Sequence, residues 1–265
     1  MISIIGKTHV GRRALNEDRF VADAGWGIAL VSDGMGGPAA GEVAADIVVT
    51  HMVDYLDQAL PIAEAVRQTN DAVKQAAEHG QGKPGMGATL VAARFDGHDY
   101  ELTWIGDSRA YLWHGELRRI SRDHSRVEAQ LEQGEIDLAE ARASGERNII
   151  TRAMGLDESA AGPVPVVRST LCQGQQLLLC SDGITDVLSG ADLAAHFAAG
   201  HAPPAFLDAI IQAALDGGGS DNITAVLVTA DDDAPAPDSA PLPPAAAITV
   251  PGAQSVYYPP DPENH

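Results

Sequence analysis

Aspartates that follow apolar runs are the residues of this sequence best suited to chemistry. In "IALVSDGMGG" (residues 28–37) an apolar run ends at Asp33, and glycines follow. The simplest interpretation of an Asp-Gly pair after an apolar run is a hairpin turn, because glycine tolerates positive φ and aspartate bonds to its own backbone. The same pattern returns in "QLLLCSDGITD", where Asp182 follows a second apolar run. A turn alone therefore does not account for the repetition.

Further acids stand at the ends of other predicted strands. Asp107 lies between two apolar strands in "LTWIGDSRAYLW", and Asp221 directly precedes the last strand in "GGGSDNITAVLVT". Glu17 and Asp18 in "RALNEDRF" come just before another strand. If these strand ends converge, the like charges raise one another's pKa and destabilise the fold unless a cation neutralises them. The pattern therefore predicts a metal site.

The types of ligand indicate which metal. The nine histidines form no close pair, and the two cysteines do not have the spacing of metal ligands. Carboxylates, water and a backbone carbonyl, which Gly34 can offer, suit Mg²⁺ or Mn²⁺ rather than Zn²⁺ or Cu²⁺. Two such ions about 3.5–4 Å apart bind a phosphoryl group and lower the pKa of a bridging water. Phosphoryl chemistry is the prediction.

Arginine is the second component that such chemistry needs. The stretch "GRRALNED" places Arg12 and Arg13 just upstream of two of the acids. A guanidinium holds non-bridging phosphate oxygens with two parallel hydrogen bonds. The alternative is that both arginines are ordinary solvated surface groups, as most arginines are.

Charge and composition narrow the class of protein. The formal net charge of −20 argues against nucleic-acid binding, which requires a basic surface. No apolar stretch reaches the length of about 20 residues that a membrane helix needs, and "MISIIGKTHVGRR" lacks the apolar region of a signal peptide. Cys172 and Cys180 are expected to be buried free thiols. These features predict a cytoplasmic protein without membrane insertion.

Strand and helix patterns alternate irregularly along residues 1–230, which we interpret as one domain. Strand-like segments cover 2–9, 19–23, 26–32, 88–95, 100–105, 109–114, 164–169, 175–181 and 223–229. Helical segments cover 40–58, 62–79, 124–134, 137–144, 191–199 and 204–215. The pattern favours layers of largely antiparallel sheet flanked by helices. Residues 231–265 are rich in Pro, Ala and acid, which predicts a flexible tail.

The quoted motifs together resemble one known family. The chain is similar, over roughly residues 4–229, to the metal-dependent serine/threonine protein phosphatases of type 2C in their bacterial form. The resemblance is carried by motifs in the family's order: "RALNED", "SDGMGG", "GATL", "GDSRAYL", "SRDHS", "RNIITRAMG", "SDGITD" and "SDNITAVLV". It implies an α+β fold, the four-layer α-β-β-α sandwich with two mostly antiparallel central sheets.

The resemblance also implies a site with two Mn²⁺ or Mg²⁺ ions and a weaker third. Its metal ligands would be Asp33, bridging both ions, the Gly34 carbonyl, Asp182, Asp221 and, for the third ion, Asp107. Glu17 and Asp18 would act through ordered waters, and Arg13 would bind the phosphate. The implied reaction is attack by a metal-bridged hydroxide on phosphoserine or phosphothreonine. Residues from about 125 to 150 resemble the variable flap beside the cleft.

One departure concerns the proton donor. Eukaryotic relatives often carry histidine where this chain has Met35, so the donor is either a metal-bound water or another group such as His124. The alternative function is a catalytically silent module that binds phosphoproteins. The expected partners are phosphoprotein substrates of a bacterial Ser/Thr kinase, with forkhead-associated-domain proteins among them, and the expected state is a monomer.

Overall fold

The strands of this protein form two antiparallel sheets. The computed structural model describes residues 1–37, 40–146, 148–156, 162–231 and 233–236, so most of the predicted tail 231–265 lies outside the described residues. In chain order the strands are β1 (Ile2–His9), β2 (Asp18–Asp23), β3 (Ile28–Met35), β4 (Gly87–Ala88), β5 (Leu90–Asp96), β6 (Asp99–Ile105), β7 (Arg109–Trp113), β8 (Leu117–Arg119), β9 (Val166–Thr170), β10 (Gln176–Cys180) and β11 (Ile223–Ala230). The first sheet has the order β1-β11-β10-β7-β8, and the second has the order β2-β3-β5-β6-β9 with β4 paired to β3.

Helices cover the outer face of each sheet. In chain order the helices are α1 (Gly41–Asp57), α2 (Ile62–Glu78), α3 (Arg126–Gln133), α4 (Leu138–Ala143), α5 (Asp182–Thr185), α6 (Gly190–Ala198) and α7 (Pro203–Asp216), and the covering ones are α1, α2, α6 and α7. One apolar cluster joins α1 and α2 to the second sheet, another fills the space between the sheets, and a third joins the first sheet to α6 and α7. These layers confirm the predicted four-layer α-β-β-α sandwich.

The alternation of side chains along a strand explains why the central strands are apolar throughout. Within β3, Ile28 and Leu30 belong to the cluster beneath α1 and α2, whereas Ala29 and Val31 belong to the cluster between the sheets. Successive side chains of a strand point to opposite faces, so a strand buried on both faces needs an unbroken apolar run. The apolar run before Asp33 is therefore a consequence of the layered architecture.

The predicted end of this strand was wrong. The predicted strand 26–32 is Ile28–Met35 in the structure, so Asp33 and Gly34 lie inside β3 and form no hairpin turn. Gly34 is needed for close approach: a Cβ at this position would lie 2.0 Å from the carbonyl oxygen of Gly41. The chain turns only after β3, where Gly36 and Gly37 have φ values of 126° and 84°.

Candidate active site

Two of the predicted acids face each other across one strand pair. In the antiparallel register of β2 and β3, Asp18 is the partner of Asp33. Asp18 is only 2% exposed. Burial raises the pKa of Asp18 to about 6, against the opposing effect of hydrogen bonds from Thr224 and Ser181.

Those two hydroxyls connect the second sheet to the first. Ser181 Oγ and Thr224 Oγ1 both donate to Asp18 Oδ2, at 2.9 and 2.6 Å. The backbone N–H of Thr224 donates in turn to Ser181 Oγ at 3.1 Å. Because Ser181 follows β10 and Thr224 lies in β11, these bonds fix the ends of three strands relative to one another. Sequence reasoning had assigned no role to either hydroxyl, although both lie inside quoted motifs.

The predicted metal-binding aspartates come together at this edge of the sandwich. Burial raises the pKa of Asp33 well above its usual range, and four negative neighbours raise it further: Asp18, Asp182, Asp107 and Asp221. Burial likewise raises the pKa of Asp182 well above its usual range, with contributions from Asp107 and Asp186. Burial and the charge of Asp123 raise the pKa of Asp107 to about 7. The acids therefore share one electrostatic environment, as predicted, and Asp186 joins them as a residue that sequence reasoning missed.

Gly34 and Glu17 meet at the beginning of α1. The N–H of Gly34 donates to the carbonyl oxygen of Glu17 at 3.2 Å. A Cβ on Gly41 would lie 2.5 Å from the carbonyl oxygen of Gly34 and 2.7 Å from Glu17 Oε1. The predicted carbonyl ligand and the predicted neighbouring carboxylate therefore border the same small space.

Asp221 is held by the loop that carries the predicted phosphate-binding arginine. Arg13 Nη2 donates to Asp221 Oδ2 at 2.7 Å, and the N–H of Asn222 donates to Asp221 Oδ1 at 2.8 Å. The hydrogen bond and charge of Asp221 raise the pKa of Arg13, which keeps the guanidinium fully charged. The Arg13 side chain remains 55% exposed, so it lies open to an incoming anion.

Asn222 is a further residue that sequence reasoning missed. Its side-chain Nδ2 donates to the carbonyl oxygens of Val10 and Leu15, each at 2.9 Å. Its Oδ1 accepts a hydrogen bond from the N–H of Glu17 at 2.8 Å. One buried amide thus holds both ends of the segment that carries Arg13. We define residues Val10–Leu15 as the arginine loop.

The donor set fits a cation. Three buried carboxylate oxygens have no hydrogen-bond partner among the described residues: Glu17 Oε1, Asp18 Oδ1 and Asp182 Oδ1. Buried oxygens without partners are costly, and a hard divalent ion would satisfy them. In the present rotamers, no group of three acidic, histidine or cysteine side chains of the described residues is arranged to hold one ion. The carboxylate of Asp221, for example, accepts a hydrogen bond from Arg13.

His124 is a structural residue in this arrangement. Its Nδ1 accepts a hydrogen bond from the N–H of Gly106 at 3.1 Å, and its Nε2 lies 3.3 Å from Arg152 Nη1. Burial and the charge of Arg152 lower the pKa of His124 to about 4, so the ring is neutral at pH 7. His124 therefore has no imidazolium proton to give to a leaving group at that pH. Met35, in β3, has no proton to give.

The segment predicted to be a flap is closed at its base. Ser125 and Ile150 form an isolated antiparallel bridge, with α3 and α4 between them. Asn148 Nδ2 donates to Asp186 Oδ2 at 3.0 Å, which connects the end of this segment to the residue directly after α5, the short helix that begins at Asp182. The structure thus brings the segment next to the acidic cluster.

Comparison with known proteins decides the family. The profile of the protein phosphatase 2C family matches residues 5–213. The chain belongs to this family. It is 37% identical over 225 residues to the serine/threonine protein phosphatase PstP of Mycobacterium tuberculosis, a match of 81% of this chain and 42% of PstP. The chain thus spans less than half the length of that relative. It is also 32% identical to the serine/threonine phosphatase stp of Listeria monocytogenes, over 77% of this chain and 84% of stp.

A solved structure of the same family agrees with the fold. The catalytic domain of PstP in complex with two manganese ions superposes with a TM-score of 0.75 at 33% identity, covering 86% of this chain and 97% of that one. Among the described residues, none of the helices of this phosphatase 2C family member is long and apolar enough to cross a membrane.

Proposed function

We propose that this protein is a Mn²⁺- or Mg²⁺-dependent protein phosphatase that hydrolyses phosphoserine and phosphothreonine on proteins. The observation that carries the proposal is the buried acidic cluster, in which Asp33 has four negative neighbours and lies beside the arginine loop. Such a concentration of charge is unfavourable in a protein without a cation. The mycobacterial relative that binds two manganese ions supports the same conclusion.

The metal ligands that we propose are the predicted ones. They are Asp33, the Gly34 carbonyl, Asp182 and Asp221 for two ions, and Asp107 for a weaker third. Metal ions at such a site supply charge neutralisation and lower the pKa of a bound water. Asp18 is proposed to act through water with its free Oδ1, while Ser181 and Thr224 hold its Oδ2 in place. Glu17 acts in the same way through its buried Oε1.

Arg13 is proposed to hold the phosphoryl group of the substrate. One of its N–H groups donates to Asp221, and a guanidinium has five N–H donors in a planar fork. The remaining donors suit two non-bridging phosphate oxygens, which carry the negative charge throughout phosphoryl transfer. The bond to Asp221 keeps this cation beside the acids, so that phosphate and metal ligands meet at one place.

Phosphate release from a phosphothreonine peptide tests the proposal. We expect turnover with Mn²⁺, none with EDTA, and a loss of at least about a hundredfold in Asp182→Asn, because a neutral amide is a poor ligand for a hard cation. Asp208→Asn is the matched control, since Asp208 is an exposed acid of α7 that pairs with Lys7 of β1. It should keep the wild-type rate.

The outcome also decides between the two functions. A folded protein that is stabilised by Mn²⁺ but releases no phosphate would overturn the proposal and favour a catalytically silent phosphoprotein-binding module. Equal losses in Asp182→Asn and Asp208→Asn would show that Asp182 has no special role.

The wider context is part of the proposal. We propose that the substrates are phosphoproteins made by a bacterial Ser/Thr kinase, including proteins with forkhead-associated domains, and that the enzyme acts in cytoplasmic signalling as a monomer. Cys172 and Cys180 form no disulfide with each other, which supports a reducing compartment. Size-exclusion chromatography with light scattering tests the oligomeric state.

A further inference from the structure

Arg12 stands out among the cations of this acidic protein. Of the Lys and Arg side chains that the structure describes, it is the one for which no hydrogen bond, ion pair or other interaction with a neighbour is found, and it is exposed. Its neighbour Arg13 pairs with Asp221, and other surface arginines pair with nearby acids, as Arg67 does with Glu64. In a chain of net charge −20, a guanidinium without an acidic partner is unusual.

Hydrogen bonds hold the backbone of the arginine loop on both sides of Arg12. Asn222 holds the carbonyl oxygens of Val10 and Leu15, and the N–H of Gly11 donates to His9 Nδ1 at 2.9 Å. Gly11 has a φ of 62°, and a Cβ at this position would lie 1.9 Å from the carbonyl oxygen of Asp221. A loop that is ordered before binding loses less conformational entropy when it contacts a ligand.

The loop also presents apolar surface. Val10 is 37% exposed and Leu15 is 47% exposed, so two of the few large exposed apolar side chains of the described chain flank Arg12. Single exposed apolar residues are common, but two within one short loop, together with a cation, suit a contact surface. A peptide whose phosphate is bound by Arg13 would pass close to this loop, because Arg13 belongs to it.

We propose that Arg12 is a specificity-determining residue that favours substrates with an acidic residue close to the phosphorylated one. The inference rests on the proposed function. Adjacent Cα atoms are about 3.8 Å apart, and an extended peptide advances about 3.3–3.6 Å per residue. A cation next to Arg13 is therefore in range of side chains one or two residues from the phosphorylated residue. The remainder of the surface is rich in acid and repels acidic peptides. Arg12 therefore has a larger effect on the binding of such a peptide than it would have on a neutral surface.

Paired peptides test the inference. Both contain phosphothreonine, and they differ only in having Glu or Gln at the positions two residues before and after it. In Arg12→Gln we expect the Glu-to-Gln ratio of kcat/KM to fall about threefold to fivefold, the range of one exposed ion pair. Arg12→Lys should retain part of the preference. Arg67→Gln, which removes a paired arginine from α2, should keep the wild-type ratio.

Ionic strength gives a second readout that a merely structural role would not change. The ion pair between Arg12 and the Glu of the peptide would be exposed to solvent. About 1 M salt should therefore lower the wild-type Glu-to-Gln ratio of kcat/KM towards that of Arg12→Gln. An unchanged ratio in Arg12→Gln, with metal-dependent turnover of both peptides, overturns the inference and leaves the proposed function intact. Absence of metal-dependent turnover of both peptides by the wild type overturns the proposed function, and the inference with it.

Discussion

At the scale of single residues, the site depends on side chains that neither bind metal nor contact phosphate. Asn222 is the clearest case, since its amide accepts from Glu17 N and donates to both ends of the arginine loop. It is 4% exposed, so these hydrogen bonds have no competition from water. Its sequence neighbour Asp221 receives the guanidinium of Arg13. One residue thus places Arg13, the proposed phosphate-binding cation, relative to the acids.

Removing this amide should impair phosphate binding. We expect Asn222→Ala to lower kcat/KM for a phosphopeptide about tenfold or more, because small displacements of positioning groups have large kinetic effects. We also expect competitive inhibition by inorganic phosphate to weaken, since Arg13 is no longer fixed beside Asp221. Kinetic titrations with phosphate measure both.

A second buried asparagine controls for loss of stability. Asn70 is 3% exposed, lies in α2 and accepts a hydrogen bond from the N–H of Gly155 at 3.0 Å. Asn70→Ala should also destabilise the fold, by about 1–3 kcal/mol, through an unpaired buried N–H. It should leave the inhibition constant of phosphate unchanged. If both variants weakened phosphate binding alike, Asn222 would have only a structural role.

Because a charged residue at the end of an apolar strand is unusual, sequence reasoning identified most of the acids of this cluster, although not Asp186. It missed Asn222, Ser181 and Thr224 because their partners are distant in sequence: Ser181 and Asp18, for example, are 163 residues apart. Hydroxyl and amide groups near strand ends are common, and only the three-dimensional contacts distinguish these. Periodicity indicates which face is buried, but it does not indicate which polar groups meet.

At the scale of helices and strands, buried ion pairs support the segment next to the site. Arg109 in β7 binds Asp123 through Nε at 3.1 and 3.0 Å and through Nη2 at 2.7 Å. Arg119 in β8 binds Glu128 in α3 at 2.7 Å. Burial opposes the charge of Asp123, but Arg109 and Arg119 outweigh it and lower the pKa of this carboxyl. The pairs connect the first sheet to the beginning of the predicted flap.

Breaking the first pair should be costly. The Asp123 side chain is 7% exposed, so Asp123→Ala leaves the guanidinium of Arg109 without its main partner in a poorly solvated place. We expect a loss of about 3–5 kcal/mol in the free energy of unfolding, measured by urea denaturation. Glu64→Gln, which breaks an exposed pair with Arg67, should cause no measurable change. Equal effects of the two substitutions would contradict this assignment.

The elements themselves were largely predictable, and their ends were not. The apolar runs of β3, β5, β6, β10 and β11 and the amphipathic pattern of α1 and α2 reflect burial in fixed layers, which a sequence displays directly. Two short elements were missed: β8 spans Leu117–Arg119 and carries two arginines, and α5 spans Asp182–Thr185. Neither is long enough to show a period. Packing against neighbours, and not local pattern, determines such elements.

At the scale of the whole molecule, the acidic cluster couples stability to pH. The folded-state pKa of Asp107 is about 7 and that of Asp18 about 6, both above the ordinary aspartate value, and the pKa values of Asp33 and Asp182 are raised as well. Groups with raised pKa bind more protons in the folded state than in the unfolded state. Their contribution therefore makes the free energy of unfolding fall as pH rises from the ordinary aspartate pKa through the raised folded-state values.

His124 has the opposite effect, in a pH range that overlaps that of Asp18 but ends at about pH 6.5. Its folded-state pKa of about 4 lies below the ordinary histidine value of 6.5. The stability that this neutral ring provides is present above pH 6.5 and is lost as pH falls from there towards 4. Above about pH 6.5 the carboxylates therefore determine whether the free energy of unfolding rises or falls with pH.

We accordingly expect the metal-free protein to be more stable at about pH 6.5 than at about pH 8, by about 1–2 kcal/mol in urea denaturation with EDTA. Saturating Mn²⁺ should stabilise the fold by about 2–4 kcal/mol, and by more at the higher pH, because protons and metal compete for the same carboxylates. Asp182→Asn removes one of these charges and should weaken both effects. If the stability of the metal-free protein instead rose with pH across this range, fixed positive groups of the protein would be stabilising the acids. That result would remove the argument that the acids require a metal ion.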